Sequence, residues 1–359
     1  MRVLLSGYYG FGNLGDDALL QIVVAQLKTR YPYATIDVLS EKPEETAHEL
    51  AVEATPRWDQ AAIKEAIARA DVVLSGGGGL FQTATSFKSL LYYAGIVRTA
   101  IRAGRKTMVF AQSIGPLDFW GKQTLRECCK GLGAATVRDE RSRALFAPLV
   151  PGTPVERTAD PVFLYEPPES PPLLEAAGLG PSSEPYVLAC VRKTAHVRDA
   201  ITAIAIAADR LAERYGARVA FVPFGGPDDA DAATSIIRKC RSKPMLLPLQ
   251  GLDTVAAAIA RARLVIGVRL HALILAARFN VPFLYVPYDP KITGLVEDLR
   301  YPLDPLWAPG IRVQGEAIEA QVDDAWQRCA ELAGLLATGA AEQRALAERN
   351  FTVLAALVH

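Results

Sequence analysis

Four cationic or titratable side chains follow apolar segments in the second half of the sequence. They are Arg192, Arg269, His271 and Lys291. Arginine holds carboxylate or phosphate groups through two hydrogen bonds, and lysine adds a point charge. A histidine at a helix start can donate to an anion or transfer a proton. A single arginine after a strand is commonly a solvated charge, but two arginines, a histidine and a lysine after strands predict a binding site for a small anion.

The loops of the first half carry glycine, amide, hydroxyl and carboxylate groups instead. Four of them follow predicted strands: Gly7–Asp17, Ser75–Gln82, Ala111–Pro116 and Val137–Glu140. Glycines leave room for a ligand or for a facing backbone, and close helix–strand packing is the purely structural explanation for them. The neutral polar groups suit hydroxyls, so this half of the sequence predicts a site for a polyol such as a sugar.

The first of these loops also fits another ligand. Residues Gly10–Gly15 match the G-x-G-x-x-G pattern between a strand and a helix, which is typical of NAD(P) binding. Asp16 and Asp17 argue against it, because carboxylates in a first helical turn suit the helix dipole but repel a pyrophosphate placed there. A tight turn with an N-cap aspartate is the simplest alternative.

The residues above must be positioned by strands and helices that alternate along the chain, a pattern that predicts parallel sheets covered on both faces. The predicted strands of the first half are Val3–Ser6, Thr35–Leu39, Val72–Leu74, Thr107–Ala111 and Ala135–Val137. Those of the second half are Tyr186–Cys190, Val219–Val222, Met245–Leu247, Leu264–Gly267 and Phe283–Val286. Ligands bind at the carboxyl ends of such strands, which is where the loop residues lie.

Two domains joined by a proline-rich segment follow from this pattern. We predict a Rossmann-like domain over 1–165, a linker over 166–185 and a second Rossmann-like domain over 186–340. A last helical stretch over 315–358 is long enough to pack across both domains, and 341–359 is predicted to do so. With two such domains, the cleft between them is the expected site.

Composition limits the class of protein. Of 359 residues, 50% are hydrophobic and 22% are charged, and 39 basic residues balance 39 acidic ones. These values are typical of a globular protein and disfavour a nucleic-acid partner, which calls for a basic excess. No apolar run suits a membrane span or a signal peptide. Five cysteines and four histidines without metal-ligand spacing predict reduced thiols, a cytoplasmic location and no metal.

Taken together, these motifs resemble the polysaccharide pyruvyl transferase family, the CsaB type in particular. The segments that carry the resemblance are Ser6–Ala18, Gly76–Gln82, Ala111–Pro116, Val137–Asp139, Arg269–Ala272 and Pro287–Lys291. They span about residues 3–291 in the family's order, and the loop Gly226–Asp229 also looks like the family's equivalent. Each segment is weak alone, but their combination is specific.

The resemblance implies a two-domain fold like that of the GT-B glycosyltransferases, with a C-terminal helix that crosses back to the first domain. It implies that phosphoenolpyruvate gives its pyruvate to a sugar as a cyclic 4,6-ketal and that phosphate leaves. The implied acceptor is an undecaprenyl-diphosphate-linked disaccharide, a precursor of cell-wall polymers that anchor surface-layer proteins. The protein would then act in the cytoplasm at the inner membrane face, with at most a peripheral membrane contact and no cofactor.

On this basis we assign residues to three roles. The donor would be bound by Arg192, Arg269, His271, Lys291 and Arg138. The acceptor would be bound by Gly12, Asn13, Asp16, Gly78, Gln82, Gln112 and Ser113. Catalysis is assigned to His271 as acid or phosphate-activating donor, to Arg269, and to a base among Asp16, Asp160 and Asp228.

Three other functions fit parts of the sequence. A nucleotide-sugar-dependent glycosyltransferase would share the architecture and the basic second domain, but no base-stacking pocket is identifiable. An NAD-dependent oxidoreductase rests on Gly10–Gly15 alone. A sugar-binding or scaffold protein without activity would leave Arg269, His271 and Lys291 without a task.

Overall fold

The computed structural model describes residues 1–84, 86–166, 179, 185–192, 197–249 and 251–359, apart from the side chain of Val197. These residues form two compact units. Unit 1 comprises Met1–Leu164 and Gln343–His359, and unit 2 comprises Tyr165–Glu342. Of the predicted linker 166–185, residues 167–178 and 180–184 lie outside the described part of the chain.

Unit 1 is built on a seven-stranded parallel sheet. Its strands are β1 (Arg2–Ser6), β2 (Thr35–Ser40), β3 (Glu53–Pro56), β4 (Val72–Gly76), β5 (Lys106–Gln112), β6 (Ala134–Val137) and β7 (Val155–Arg157). Their spatial order is β3-β2-β1-β4-β5-β6-β7. Strand β4 is buried along its whole length, because parallel strands carry apolar side chains on both faces and helices cover both.

Six helices before the end of the chain belong to unit 1 within its described residues. They are α1 (Leu14–Arg30), α2 (Pro43–Leu50), α3 (Gln60–Arg69), α4 (Phe87–Arg102), α5 (Phe119–Cys128) and α6 (Glu140–Phe146). Side chains of Asn13, Asp59, Asp118 and Asp139 cap four of them at the N-terminus, which satisfies amide groups that have no partner within the helix. Each of these helices therefore starts at a defined residue.

Unit 2 repeats the design on a five-stranded parallel sheet. Its strands are β8 (Tyr186–Cys190), β9 (Arg218–Phe221), β10 (Met245–Leu246), β11 (Leu264–Gly267) and β12 (Phe283–Tyr285), in the order β10-β9-β8-β11-β12. Its helices are α7 (Val197–Tyr215), α8 (Gly226–Ile237), α9 (Leu252–Arg261), α10 (Leu270–Arg278), α11 (Pro290–Leu299) and α12 (Gly315–Gln327). The last helix, α13 (Cys329–Val358), begins in unit 2 and ends in unit 1.

The C-terminal residues are fastened to unit 1 by a buried asparagine. The Nδ2 of Asn350 donates to the Ala159 carbonyl at 2.9 Å, and its Oδ1 accepts from the Thr158 hydroxyl at 2.8 Å. The ring of Phe351 packs edge-on against Phe110 of β5, with centroids 5.2 Å apart. The end of α13 is thus tied to the segment that follows β7.

The predicted fold class is confirmed, since both units are α/β with parallel sheets, and the C-terminal residues belong to unit 1. The sequence did not predict the edge strands β3 and β7, because Glu53–Pro56 and Val155–Arg157 hold few apolar residues. The last helical stretch is interrupted at Arg328, between α12 and α13. Within the described residues, no helix combines the length and apolar character that crossing a bilayer requires.

Replacing Asn350 by alanine should lower the free energy of unfolding by about 1–3 kcal/mol, because it removes the hydrogen bonds to the buried Thr158 hydroxyl and to the Ala159 carbonyl. Urea denaturation measures the loss. The control is Thr352→Ala, an exposed position two residues further along the same helix, which should stay within about 0.5 kcal/mol of the parent. Equal losses in both variants would contradict a fastening role for Asn350.

Candidate active site

Three loops of unit 1 meet at the carboxyl ends of β1, β4 and β5. Asn13, which caps α1, donates from Nδ2 to Oδ2 of Asp16 at 2.6 Å. A Cβ added to Gly78 would lie 2.7 Å from Oδ1 of Asp16, and the amide of Ser113 donates to the Gly78 carbonyl at 3.0 Å. Gly78 has φ +60°, a conformation that favours glycine. The structure thus places Asn13 and Gly78 beside the Asp16 carboxylate and joins Ser113 to Gly78 through the backbone.

The other predicted acceptor residues differ in how accessible they are. Gly12 is exposed, and Gln82 is half-buried with its Nε2 donating to the Gly79 carbonyl at 2.9 Å.

Gln112 is fully buried and donates from Nε2 to the backbone and hydroxyl oxygens of Ser75. Ser113 is also buried, and its hydroxyl bonds Arg138 and Asp139. As placed here, the side chains of Gln112 and Ser113 join neighbouring loops rather than face solvent.

Arg138 lies in unit 1, whereas the other four predicted donor residues lie in unit 2. Its guanidinium forms a buried ion pair with Asp160, and its Nε donates to the Ser113 hydroxyl at 2.6 Å. The carboxylate of the neighbouring Asp139 caps α6 through the amide of Ser142 at 2.7 Å. Asp160, one of the three candidate bases, is therefore held by a cation in this structure.

Asp17 is a titratable residue of this edge that the sequence reasoning did not select. Burial is the main reason that its pKa is raised to about 7, and the negative charge of Asp16 raises it further. A hydrogen bond from the Gly10 backbone opposes the shift. A carboxyl group with a pKa near neutrality can accept or release a proton under physiological conditions.

A buried arginine shapes the first loop and was also missed. Arg57 follows β3 and donates to the Gly7 carbonyl at 2.9 Å and to the Tyr93 hydroxyl at 3.0 Å. Its guanidinium carbon lies 4.8 Å from the ring centroid of Phe11, which stacks on Tyr8 at 4.1 Å. No sequence signal marked Arg57, because the strand that positions it was not predicted.

In unit 2 the best-defined cation is Arg269, the residue before α10. Its Nε and Nη2 donate to the two carboxylate oxygens of Asp229, at 2.8 and 2.5 Å, and Asp229 is buried. A Cβ on Gly225 would lie 2.7 Å from Nη2, so the glycine makes room for the pair. The sequence singled out the neighbouring Asp228, which is exposed in the first turn of α8.

Arg192 follows β8 and contacts the loop after β12. Its Nη1 donates to the Tyr288 hydroxyl at 2.5 Å, and its guanidinium carbon lies 4.7 Å from the Tyr288 ring centroid. Burial raises the pKa of Tyr288, and the charge of Arg192 partly offsets that rise. Tyr288 was part of the family motif but had no assigned role, and the structure gives it one in orienting Arg192.

Lys291 and His271 each occupy the first turn of a helix. The amide of Lys291 donates to the N-cap carboxylate of Asp289 at 2.9 Å, and His271 lies two residues beyond Arg269 in α10. A cation in a first turn is unfavourable for the helix, since the dipole is positive there. The same dipole and cation both favour a bound anion. Strands β8, β11 and β12 are neighbours, so the loops that carry Arg192, Arg269 and Lys291 leave one sheet edge side by side.

The described residues contain no cluster of three or more histidine, cysteine, aspartate or glutamate side chains that could hold a metal ion. They do contain two kinds of edge. The edge of unit 1 presents carboxylates, an amide and glycines, which suit hydroxyl groups. The edge of unit 2 presents two arginines held by neighbouring side chains, and it also presents the N-termini of two helices. Both features suit a small anion.

The protein is similar to several solved structures over almost its whole length. Over 99% of its length it matches Anabaena HepE in complex with UDP-glucose (96% of that chain, TM-score 0.61, 12% identity). The UDP-GlcNAc 2-epimerase of Neisseria meningitidis bound to UDP-GlcNAc matches over 99% of both chains (TM-score 0.63, 11% identity). A glycosyltransferase of Rickettsia africae matches over 99% of this chain and 95% of its own chain (TM-score 0.61, 11% identity). These similarities show a GT-B-like fold.

Residues 13–290 match the family model described as polysaccharide pyruvyl transferase, and the chain belongs to this family. The match covers most of the chain, from within the first loop to the residue before Lys291. No curated protein matches the sequence.

Replacing Asp17 by asparagine should stabilise the protein at pH 8. The folded-state pKa of about 7 exceeds the ordinary value of 3.8, so ionisation opposes folding and stability falls as pH rises from about 4 to 7. The asparagine variant does not lose this stability. In the parent the loss amounts to about 4 kcal/mol at pH 8 and vanishes near pH 4. Thermal melts across this range test it, with Asp71→Asn, an exposed carboxylate of unit 1, as control. A difference independent of pH would contradict the raised pKa.

Proposed function

We propose that this protein transfers pyruvate from phosphoenolpyruvate to a sugar as a cyclic ketal and releases phosphate. The acceptor sugar belongs to a lipid-linked cell-wall glycan precursor, and the ketal bridges two of its hydroxyls, O4 and O6. The family supports pyruvylation, and the chemistry of the two sheet edges supports the choice of donor and acceptor.

The observation that carries the proposal is the pairing of Arg269 with Asp229. Two hydrogen bonds to a buried carboxylate fix the plane of the guanidinium, so its remaining Nη1 edge needs no reorganisation to meet an anion. Arg192, fixed against Tyr288, and Lys291, at the start of α11, add two more cations on the same sheet edge. Phosphoenolpyruvate carries a carboxylate and a phosphate, and three cations can neutralise both without a cofactor.

The reaction needs a proton for the methylene carbon of the donor and a base for each sugar hydroxyl. Protonation makes C2 electrophilic, one hydroxyl oxygen attacks it, phosphate leaves, and the second hydroxyl closes the ring. One hydroxyl proton balances the proton taken up by the methylene carbon, and the other leaves with phosphate. We assign the acid to His271 and place the base among the carboxylates of the first loop, Asp16 and Asp17. The raised pKa of Asp17 favours it for this task.

In its finer detail the proposal follows the CsaB type. The acceptor is then an undecaprenyl-diphosphate-linked disaccharide whose N-acetylmannosamine receives the ketal, in a pathway that anchors surface-layer proteins. The enzyme works in the cytoplasm, at the inner membrane face, where such a lipid-linked precursor is exposed. The accessible groups around Asp16 would bind the acceptor hydroxyls.

A nucleotide-sugar glycosyltransferase is the second candidate. Two of the similar structures hold UDP-sugars, and unit 2 contains a cavity of about 280 Å³ beside Arg192. Aliphatic side chains of α7 and α8 line most of it, among them Ile201, Ile204 and Ile236. An apolar wall next to an arginine would fit a base and a phosphate, so nucleotide binding has to be tested directly.

Titration calorimetry with phosphoenolpyruvate, UDP-glucose and UDP-GlcNAc separates the two functions. We expect phosphoenolpyruvate to bind and the nucleotide sugars not to bind. Asp229→Asn should weaken phosphoenolpyruvate binding at least about tenfold, since the loss of one charge-assisted pair costs more than about 1.4 kcal/mol. Binding of a UDP-sugar with no binding of phosphoenolpyruvate would reject the proposal.

The control for Asp229 is Asp304→Asn. Asp304 is an exposed carboxylate of unit 2 in the segment between α11 and α12, so this variant should bind phosphoenolpyruvate like the parent. All titrations are run well below the melting temperature of each variant, because Asp229→Asn also leaves a guanidinium without its buried partner. If the two variants bind phosphoenolpyruvate with equal affinity, the orientation of Arg269 by Asp229 has no role in donor binding.

A further inference from the structure

Two neighbouring helices of unit 1 begin with exposed apolar side chains. In α4 these are Phe87 and Leu91, one turn apart, with 39% and 46% of their surface exposed. In α5 they are Phe119 and Trp120, which are 64% and 68% exposed and whose ring centroids are 5.3 Å apart. Large apolar side chains at the starts of two adjacent helices are typical of an interaction surface rather than of scattered exposure.

The four side chains lie at the same end of the unit. Helices α4 and α5 follow the neighbouring parallel strands β4 and β5 and pack into one core through Leu90 and Leu125. The loops that lead into them are hydrogen-bonded, since Thr83 donates to the Pro116 carbonyl at 2.9 Å and its hydroxyl accepts from the Asp118 amide at 3.0 Å. Both helix starts are therefore held side by side at the carboxyl edge of the sheet.

Basic side chains accompany the apolar ones. Lys88 is exposed beside Phe87, and Lys122 and Arg126 are exposed on α5, where Glu127 is the one exposed carboxylate. The carboxylate of Asp118 is used as the N-cap of α5, where it accepts from the Gly121 amide at 2.6 Å. An apolar surface with a net positive rim complements a layer of anionic headgroups over hydrocarbon, where tryptophan and phenylalanine are favoured at the boundary.

We propose that Phe87, Leu91, Phe119 and Trp120, with Lys88 and Lys122, form a docking surface for an anionic membrane. We call it the α4–α5 surface. The proposal rests on the proposed function in one respect, because a lipid-linked acceptor is presented at a membrane. The loops that carry Gln82 and Ser113 run directly into α4 and α5, so docking would hold the acceptor loops close to the headgroups.

A second copy of the chain is a less suitable occupant. A two-fold interface places the same patch on both sides, which would set the lysines and the arginine of one copy against those of the other. Like charges face each other at a cost, whereas anionic lipids offer the opposite charge. The charge of the surface is therefore more complementary to anionic lipid than to a second copy of the same surface.

Co-sedimentation with vesicles tests the proposal on the full-length chain. Vesicles of phosphatidylglycerol and phosphatidylcholine are compared with vesicles of phosphatidylcholine alone. We expect the parent to bind the anionic vesicles, and F119S/W120S and K88E/K122E each to lower the partition coefficient at least about tenfold. The matched control is Tyr33→Ser, since Tyr33 is 97% exposed in the turn before β2, at the opposite end of the sheet.

Two results would overturn the docking surface. One is no binding, or equal binding of the parent to both kinds of vesicle. The other is a dimer in sedimentation velocity that F119S/W120S dissociates, which would assign the surface to a second copy. Circular dichroism confirms that the variants are folded.

Activity separates this proposal from the proposed function. With a water-soluble disaccharide acceptor, F119S/W120S should turn over like the parent, and with a vesicle-embedded acceptor it should lose most of its rate. Vesicle binding without any pyruvyl transfer in the parent would leave the docking surface standing and reject the proposed function. Equal rates of parent and variant on the embedded acceptor would reject the docking surface instead.

Discussion

All candidate site residues follow from one constraint, that the strands in each unit run parallel. A parallel strand has its apolar side chains buried on both faces, so groups that can meet a ligand lie where the strand ends and the chain turns into a helix. In unit 1 this edge gathers Asn13, Asp16 and Gly78, and in unit 2 it gathers Arg192, Arg269 and Lys291. Close packing at the edge then requires glycine at positions such as Gly78 and Gly225, where a Cβ would collide with a charged side chain.

Each unit fixes one arginine against a carboxylate that is almost fully buried. In unit 1 the pair is Arg138 with Asp160, and in unit 2 it is Arg269 with Asp229. Burying an ion pair costs desolvation energy that its attraction only partly returns, so such pairs are weak evidence for stability. They do fix the direction of a guanidinium. The pair in unit 1 shares its arginine with the Ser113 hydroxyl and joins loops, whereas the pair in unit 2 engages only Nε and Nη2 of Arg269.

The sequence predicted the parts of the fold that depend on local patterns. Apolar runs such as Tyr186–Cys190 and Leu264–Gly267 reappear as strands with the same bounds, because a buried parallel strand needs a continuous apolar run. Edge strands such as Glu53–Pro56 do not need a continuous apolar run, so the sequence pattern did not predict them. The assignment of the loops at the strand ends to a ligand site stays a prediction.

Contacts between distant residues explain what the sequence could not supply. Asp228 and Asp229 are equivalent in the sequence, and only the direction of each side chain from α8 decides that Asp229 meets Arg269. Gln112 and Ser113 offered suitable groups for a sugar, but their burial and hydrogen bonds depend on three neighbouring loops. The raised pKa of Asp17 likewise arises from burial that no spacing reveals.

The most direct test of the account is a product analysis with phosphoenolpyruvate and a synthetic disaccharide acceptor. Phosphate release and the mass of the glycan are followed together, in the parent and in His271→Ala. The account predicts one phosphate for each glycan that gains one pyruvate less one water, and a rate at least about a hundredfold lower in the variant. Phosphate release without a pyruvylated glycan, or a variant as fast as the parent, would contradict it.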